Sequence, residues 1–344
     1  MSLLEQRYRS VLRLLPASYR AEREEEMVAA FMELSGEVPD ELNAHPRWGE
    51  VASVLALSVR VRLGASSASP RSFAWGEAVR LVALLGLAFQ SLYAVFTVAD
   101  LFRRVTLDGD PGFVGAPGSF ERLLIVGGSG MVVCSAFAFI AIMQGRAGVA
   151  KIAAVLGVAP VTASFLMSIL VLGPSGGRAL SEAGGLVFTA VPVIALLLGF
   201  HGDVPPRRRS WALTLAPLAA GVVALGWVEV AGALRLYLSP WLYLWLDLAG
   251  MTIPVWAAAS VALPARRRPP SAALAMSAFG LLLLADRLPL LDYMPEGVPW
   301  AMACAQCVLL GVLAAALAWA GVRALPGGRA AVLPGPDQVG ERSG

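Results

Sequence analysis

The sequence predicts an all-α, polytopic membrane protein of about eight transmembrane helices, with a soluble three-helix domain at its N-terminal end. Two observations predict this. Of 344 residues, 57% are hydrophobic and only 15% are charged, against about 25% charged in an ordinary soluble domain. Mean hydropathy is +0.69, so most of the surface cannot face water. The charges are also unevenly placed. Residues 1–77 hold 20 of the 51 charged residues, so one soluble piece precedes one membrane piece.

Residues 1–64 are expected to form the soluble domain. Leu4, Tyr8, Val11, Leu12 and Leu15 recur at helical spacing, and Pro16 ends that helix. Ser18 is placed to cap the next helix, with Glu22, Glu24, Glu25 and Glu26 in its early turns, where the helix dipole favours acids. Its apolar stripe reads Tyr19, Met27, Ala30, Phe31 and Leu34, and 35–44 reads as a polar loop. Pro46 then opens a helix to Leu63, with Gly64 as its stop. That helix is too short to span a bilayer. It either completes the small domain or lies in the membrane interface. Residues 65–76 read as a juxtamembrane linker.

A spanning helix needs about 20 mostly apolar residues. Within 77–323 the expected spans are about 78–98, 123–143, 152–172, 184–200, 211–230, 241–263, 272–291 and 300–322. The fourth is short and is expected to extend back through Glu182. Residues 324–344, rich in Gly and Pro, read as a disordered tail.

Loop arginines orient the chain. With the N-terminus in the cytoplasm, the inner loops QGRAGVAK, HGDVPPRRRS and ARRRPPS hold eight Lys/Arg and one acid. The outer loops hold five Arg and seven acids, with Arg103 and Arg104 the main exceptions. Both ends are thus expected on the cytoplasmic face of the inner membrane. Tyr237, Trp241, Tyr243, Tyr293 and Trp300 would form the outer aromatic belt, and Trp75, Trp211 and Trp319 the inner one. Of the 27 basic residues, 26 are Arg. That follows codon usage in a GC-rich genome, and nucleic acid is not an expected partner. The expected partners are the lipid bilayer and a cytoplasmic protein bound through residues 1–64.

The run Tyr8–Arg20 (YRSVLRLLPASYR), with Glu25, Glu26, Met27 and Phe31, resembles the short helical prefix found before membrane segments in many bacterial proteins. Some of these are HAAS-type signalling domains that work with PadR-like transcription regulators, and a similar prefix precedes some ABC-type permeases. With RWGEVASVLALSVRVRLG and SFAWGEAVRLVALLG, the whole chain resembles multi-pass membrane proteins of high-GC Gram-positive bacteria. The resemblance implies a regulatory or sensing role and supplies no substrate.

Polar groups within a bilayer are costly and mark candidate sites. Glu229, Asp247, Asp286 and Arg287 all fall in the expected outer third. Asp247 is about 9 Å deep, counting from Trp241, and Asp286 about 8 Å, counting back from Leu291, at 1.5 Å per residue. Matching depths allow the two acids to share a pocket with Arg287 or Arg235. Asp286 and Arg287, adjacent on one helix, point about 100° apart and do not pair easily. The readings in play are interfacial ion pairs, an extracellular ligand pocket and an ion path. A path needs midplane acids, where Gln90, Thr162, Ser164 and Ser168 stand instead.

Three further motifs carry less. Cys304 and Cys307 form a CxxC, yet Ala303, Cys307, Gly311 and Ala315 also read as a small-residue packing stripe. Gly130, Cys134 and Ala138 repeat that device. Gly127–Gly130 matches the GxSG of rhomboid-like proteases, but Ser129 and His201 are expected on the order of 20 Å apart by helix rise. No HExxH, zinc cluster or phosphate-cradling loop is present. No catalytic, cofactor-binding or metal-binding residue is expected. The functional expectation is a non-catalytic signalling or regulatory membrane protein, with a small-molecule transporter or permease component as the alternative.

Overall fold

A computed structural model describes residues 3–35, 47–64, 69–106, 119–172, 177–201, 206–234, 244–245, 247–262, 269–292, 294 and 296–326. The described residues are helical throughout, without strands. In chain order the helices are α1 Leu3–Leu12, α2 Ala17–Ser35, α3 Trp48–Arg62, α4 Pro70–Thr106, α5 Phe120–Met143, α6 Ala147–Leu172, α7 Gly177–Gly199, α8 Trp211–Leu234, α9 Leu248–Ala262, α10 Pro270–Arg287 and α11 Val298–Arg323. A 3₁₀ turn, Leu288–Asp292, continues α10. The chain divides into two compact units, one of Met1–Gly76 together with Leu325–Gly344 and one of Glu77–Ala324.

In the first unit, Leu4, Tyr8, Leu12 and Leu15 are buried as their spacing predicts. They meet Val28 and Phe31 of α2 and Val54 of α3. The Tyr8 and Phe31 rings stack with centroids 3.9 Å apart. Of the two readings open for the third helix, packing against the first two is the one observed. Ser58 Oγ donates to the Leu14 carbonyl at 2.6 Å and Arg62 Nη2 to the same oxygen at 2.9 Å. That oxygen follows the end of α1, where helical carbonyls lack partners. Glu50 accepts the Arg47 N–H at the start of α3, and Gly64 ends the segment at φ +91.

Three local expectations need correcting. Ser18 lies inside α2; the first turn is closed by Arg20 N–H on the Pro16 carbonyl. The buried face of α2 is Val28 and Phe31, whereas Ala30 is exposed and Leu34 is 88% exposed. The linker ends early, because Pro70 already starts α4, fixed there by its preset φ. The 35–44 loop falls outside the described residues except for Ser35, which belongs to α2; so do residues 65–68 and the tail from 327.

In the second unit, each expected span falls on a helix. Four described helices are long and apolar enough to cross a membrane: Pro70–Arg103, Trp211–Val230, Pro270–Asp292 and Val298–Arg323. Val132–Met143, Ala147–Ala163, Ala183–Gly199 and Gly250–Ala262 are shorter apolar stretches. The fourth span does extend back through Glu182, to Gly177. The clearest difference is at the sixth, where Leu244 and Trp245 are helical, Asp247 is not, and a helix runs Leu248–Ala262; residues 241–243 and 246 fall outside the described residues.

Two cores hold this unit. One joins α4, α5, α6 and α7 around Leu87, Ile142, Ala154 and Leu196. The other joins α7, α9, α10 and α11 around Ile253, Trp256, Leu283 and Leu310. Helices cross-link through side chains that donate to a neighbour's backbone. Ser277 Oγ of α10 reaches the Ala314 carbonyl of α11 at 2.7 Å, and Trp256 Nε1 of α9 reaches Met276 of α10 at 3.0 Å. The packing stripe of α11 is Ala303, Gln306, Leu310, Ala314, Leu317 and Gly321. This corrects the expected stripe: Cys307 and Gly311 are only partly buried and Ala315 is exposed, because α10 packs one residue-step around the helix. On α5, Ala138 is buried and Cys134 is half-buried.

Proline interrupts α6 at Pro160, α7 at Pro192, α8 at Pro217 and α9 at Pro254. Each removes one N–H and frees the carbonyl four residues earlier. For Pro192 that carbonyl is Phe188, and Gln90 Nε2 of α4 donates to it at 3.3 Å and to the Thr189 carbonyl at 3.3 Å.

Trp75, Trp211, Trp300 and Trp319 are all exposed, and the Arg323 guanidinium lies 4.0 Å above the Trp319 ring. Tyr237, Trp241, Tyr243 and Tyr293 lie outside the described residues.

Two predictions follow from the packing. At Gly280 a Cβ would stand 2.3 Å from the Trp256 ring, whereas nothing lies within 4 Å at Gly226. Gly280→Ala is therefore expected to lower stability by about 1–3 kcal/mol, and Gly226→Ala to be neutral or slightly stabilising, as read by thermal aggregation of detergent-purified protein. In the first unit, Arg9 holds Glu25 through Nη1 at 2.7 Å and Nη2 at 3.0 Å, and also bonds Glu5. The hydrogen bonds from Arg9 and its charge hold the Glu25 carboxyl below its ordinary value. Its contribution to α1–α2 pairing is thus complete above about pH 4.3, the ordinary glutamate value. It is lost as pH falls through the lowered native value. A carbon NMR titration should find Glu25 below the ordinary value and Arg9→Met should restore it.

Candidate functional site

The start of α9 organises the site. Asp247 stands just outside the helix as its N-cap, its carboxylate accepting the Gly250 N–H while its carbonyl accepts Met251 N–H at 2.9 Å. Asp247 was expected inside a continuous helix. Just ahead of α9, the Leu244 carbonyl takes side-chain donors from two other helices. Arg287 Nη2 of α10 donates to it at 3.4 Å and Gln306 Nε2 of α11 at 3.0 Å. Gly250 is sterically required there, since a Cβ would lie 2.0 Å from that same carbonyl oxygen.

Arg287 is only 5% exposed. Its Nη1 and Nη2 grip the Asp247 carboxylate at 3.0 and 2.6 Å. Such a two-pronged, charge-assisted pair is among the strongest in proteins. Gln306 is fully buried. Asp247, Arg287, Gln306 and the Leu244 backbone therefore form one polar network joining α9, α10 and α11.

Beside this network lies a cavity of about 490 Å³. Gln90 and Tyr93 of α4, Ser135 of α5, Thr189 of α7, Asp247 and Asp286 supply its polar lining. Phe89, Val132, Val161 and Phe188 supply apolar walls. Asp286 is exposed, and it has no hydrogen bond or ion pair among the described residues. Its neighbour Arg287 points round the helix to Asp247. Gln90 is 4% exposed, and its nitrogen is taken by two carbonyl oxygens. That assignment orients the amide, because only the NH₂ end can face carbonyls. Its Oε1 is left buried without a partner.

The structure brings together Asp247, Asp286 and Arg287 from the four expected pocket residues. Glu229 does not join them. It is exposed on α8, with Arg103 Nη1 3.9 Å away. The reason is the face of α4 that α8 meets: Gly221 of α8 approaches the Leu92 carbonyl and Val95, while the cavity uses the face bearing Gln90 and Tyr93. Arg235 lies outside the described residues, as do Arg266, Arg267 and Arg268. Arg207, Arg208 and Arg209 are exposed.

Sequence reasoning missed Gln306 altogether. Its signal was available: it lies six residues past Trp300, at the same depth of about 9 Å as Asp247. Gln90 was noted as a midplane polar group, but not as a wall of this pocket.

Other candidates stay apart. Ser129 lies in the first half of α5, while His201 follows the end of α7. The three cysteines are free and half-buried. Among the described residues no three His, Cys, Asp or Glu side chains gather as a metal site.

The fold and cavity together define an α-helical protein in which four of the described helices are long and apolar enough to cross a membrane, with a mostly apolar pocket between helices. The chain matches no protein-family model, no curated protein and no solved structure.

Removing Arg287 strips the Asp247 carboxylate and the Leu244 carbonyl of a partner together. Arg287→Met is expected to cost about 3 kcal/mol or more. Adding Asp247→Asn, which keeps the cap but removes the charge, should recover part of that loss in thermal denaturation of detergent-purified protein.

Proposed function

We propose that this chain is a multi-pass protein of the bacterial cytoplasmic membrane that senses a small molecule and signals to a cytoplasmic protein. Eight spans with both termini inside are the topology that the loop arginines favour. In that topology the cavity opens towards the outer half of the bilayer, and residues 1–64 form a cytoplasmic domain. The observation that carries the reading is the cavity itself, with its apolar walls and an acid, Asp286, without a partner among the described residues. Pockets of this kind bind small molecules. The prefix resemblance of residues 8–31 supports a signalling role.

Transport is the second reading, and the start of α9 favours it. Interrupted helices with side-chain-satisfied carbonyls at membrane depth recur in transporters. The four prolines of α6 to α9 point the same way.

Crosslinking capture decides between them. Full-length protein is expected to capture a specific cytoplasmic partner, deletion of 1–64 to abolish it, and Asp286→Asn to change the amount captured. Absence of any specific capture by the full-length protein sinks the signalling role. A change in solute uptake on Asp286→Asn, with capture untouched, favours transport. A reporter fused after Gly176 should report the extracytoplasmic side; a cytosolic signal there would reject the topology.

A further inference from the structure

We infer that the cavity takes a small organic monocation with an apolar body and N–H donors on its charged nitrogen, a primary or secondary ammonium. This inference rests on the pocket reading above and names its ligand class. Three observations lead to it.

The first is size and wall chemistry. About 490 Å³ lies within the roughly 300–1,000 Å³ of small-molecule sites. Phe89, Val132, Val161 and Phe188 offer an apolar surface to a hydrocarbon or aromatic body.

The second is charge. Two carboxylates and one guanidinium meet here. Arg287 and the Gly250 N–H neutralise Asp247. Asp286 has no such partner among the described residues, so the walls carry one net negative charge. An anion would face that charge unaided, and a neutral ligand would gain no charge-assisted contact with it.

The third is the hydrogen-bond inventory. Gln90 lines the cavity, is 4% exposed, and keeps an unpartnered Oε1. Its nitrogen is committed to the carbonyl that Pro192 frees, so rotation cannot turn a donor inward without breaking that bond. The charged group the cavity presents is the Asp286 carboxylate, an acceptor, beside the hydroxyls of Tyr93, Ser135 and Thr189. A ligand nitrogen that keeps N–H donors can hydrogen-bond that carboxylate and a quaternary one cannot, which selects N–H ammonium groups over quaternary ones.

The test uses full-length protein in lipid nanodiscs, with empty nanodiscs subtracted to remove partition into lipid. Four probes share one phenyl body: phenethylammonium, phenethyltrimethylammonium, phenethyl alcohol and phenylacetate. Phenethylammonium is expected to bind at least about tenfold more tightly than the alcohol, because a charge-assisted hydrogen bond replaces a neutral one. The trimethylammonium should fall between them and phenylacetate should bind weakest. Asp286→Asn has no partner to lose among the described residues and should keep the fold while erasing the preference for ammonium over alcohol. Val161→Trp, which fills the cavity, should weaken every probe.

Equal binding of ammonium and alcohol, or a preference that survives Asp286→Asn, overturns the ligand class but leaves the pocket standing if Val161→Trp still blocks binding. Failure of all four probes to bind the wild-type chain, or binding untouched by Val161→Trp, overturns both the ligand class and the pocket.

Discussion

A carbonyl buried in apolar surroundings must find a donor, because no water is at hand to supply one. The Leu244 carbonyl sets this demand at the start of α9, and Arg287 and Gln306 meet it from two neighbouring helices. Much else follows from that one oxygen. Position 250 must be glycine to clear it. Arg287 must be buried to reach it, and a buried guanidinium then requires Asp247. Asp247 in turn caps α9, the helix that begins just past that carbonyl. The loop of dependences closes on itself, so the three helices hold one another in register by polar contacts as well as by the Trp256, Leu283 and Leu310 core.

The same accounting distinguishes structural polar groups from those free for other work. Most polar side chains within the second unit serve backbone oxygens: Ser277 at Ala314, Trp256 at Met276, Ser91 at Leu87, and the Gln90 nitrogen at Phe188. Subtracting these leaves few groups unspent. Asp286 and the Gln90 oxygen are two of them, and both border the same cavity. The Gln90 oxygen is buried and Asp286 is exposed, and neither has a hydrogen-bond partner among the described residues.

The helices were legible because long apolar runs bounded by Arg, Gly and Pro leave little choice of structure. Each expected span overlaps a helix, and four of the described helices are long and apolar enough to cross a membrane. The Asp247–Arg287 association was also within reach, since equal depth and the 100° step between neighbours already pair Arg287 with another helix instead of with Asp286. What the sequence could not reveal is helix rotation. Placing Glu229 in the pocket required knowing which face of α4 meets α8, and apolar composition is nearly uniform around these helices. The stripe on α11 failed for the same reason: Cys307–Gly311–Ala315 and Ala303–Leu310–Ala314 are both plausible faces until α10 is positioned. The break at Asp247 was hidden because 241–263 reads as one apolar run. Leu34 was misassigned by pattern alone.

The prolines of α6, α7, α8 and α9 give the bundle an uneven stiffness. Each deletes a rung from its own helical ladder, and rungs are what resist bending. Helices α4, α5, α10 and α11 have unbroken interiors, with prolines only in the first turn of α4, α10 and α11. The pocket draws its walls from both kinds, from α4, α5 and α10 without an interior proline and from α6 and α7 with one.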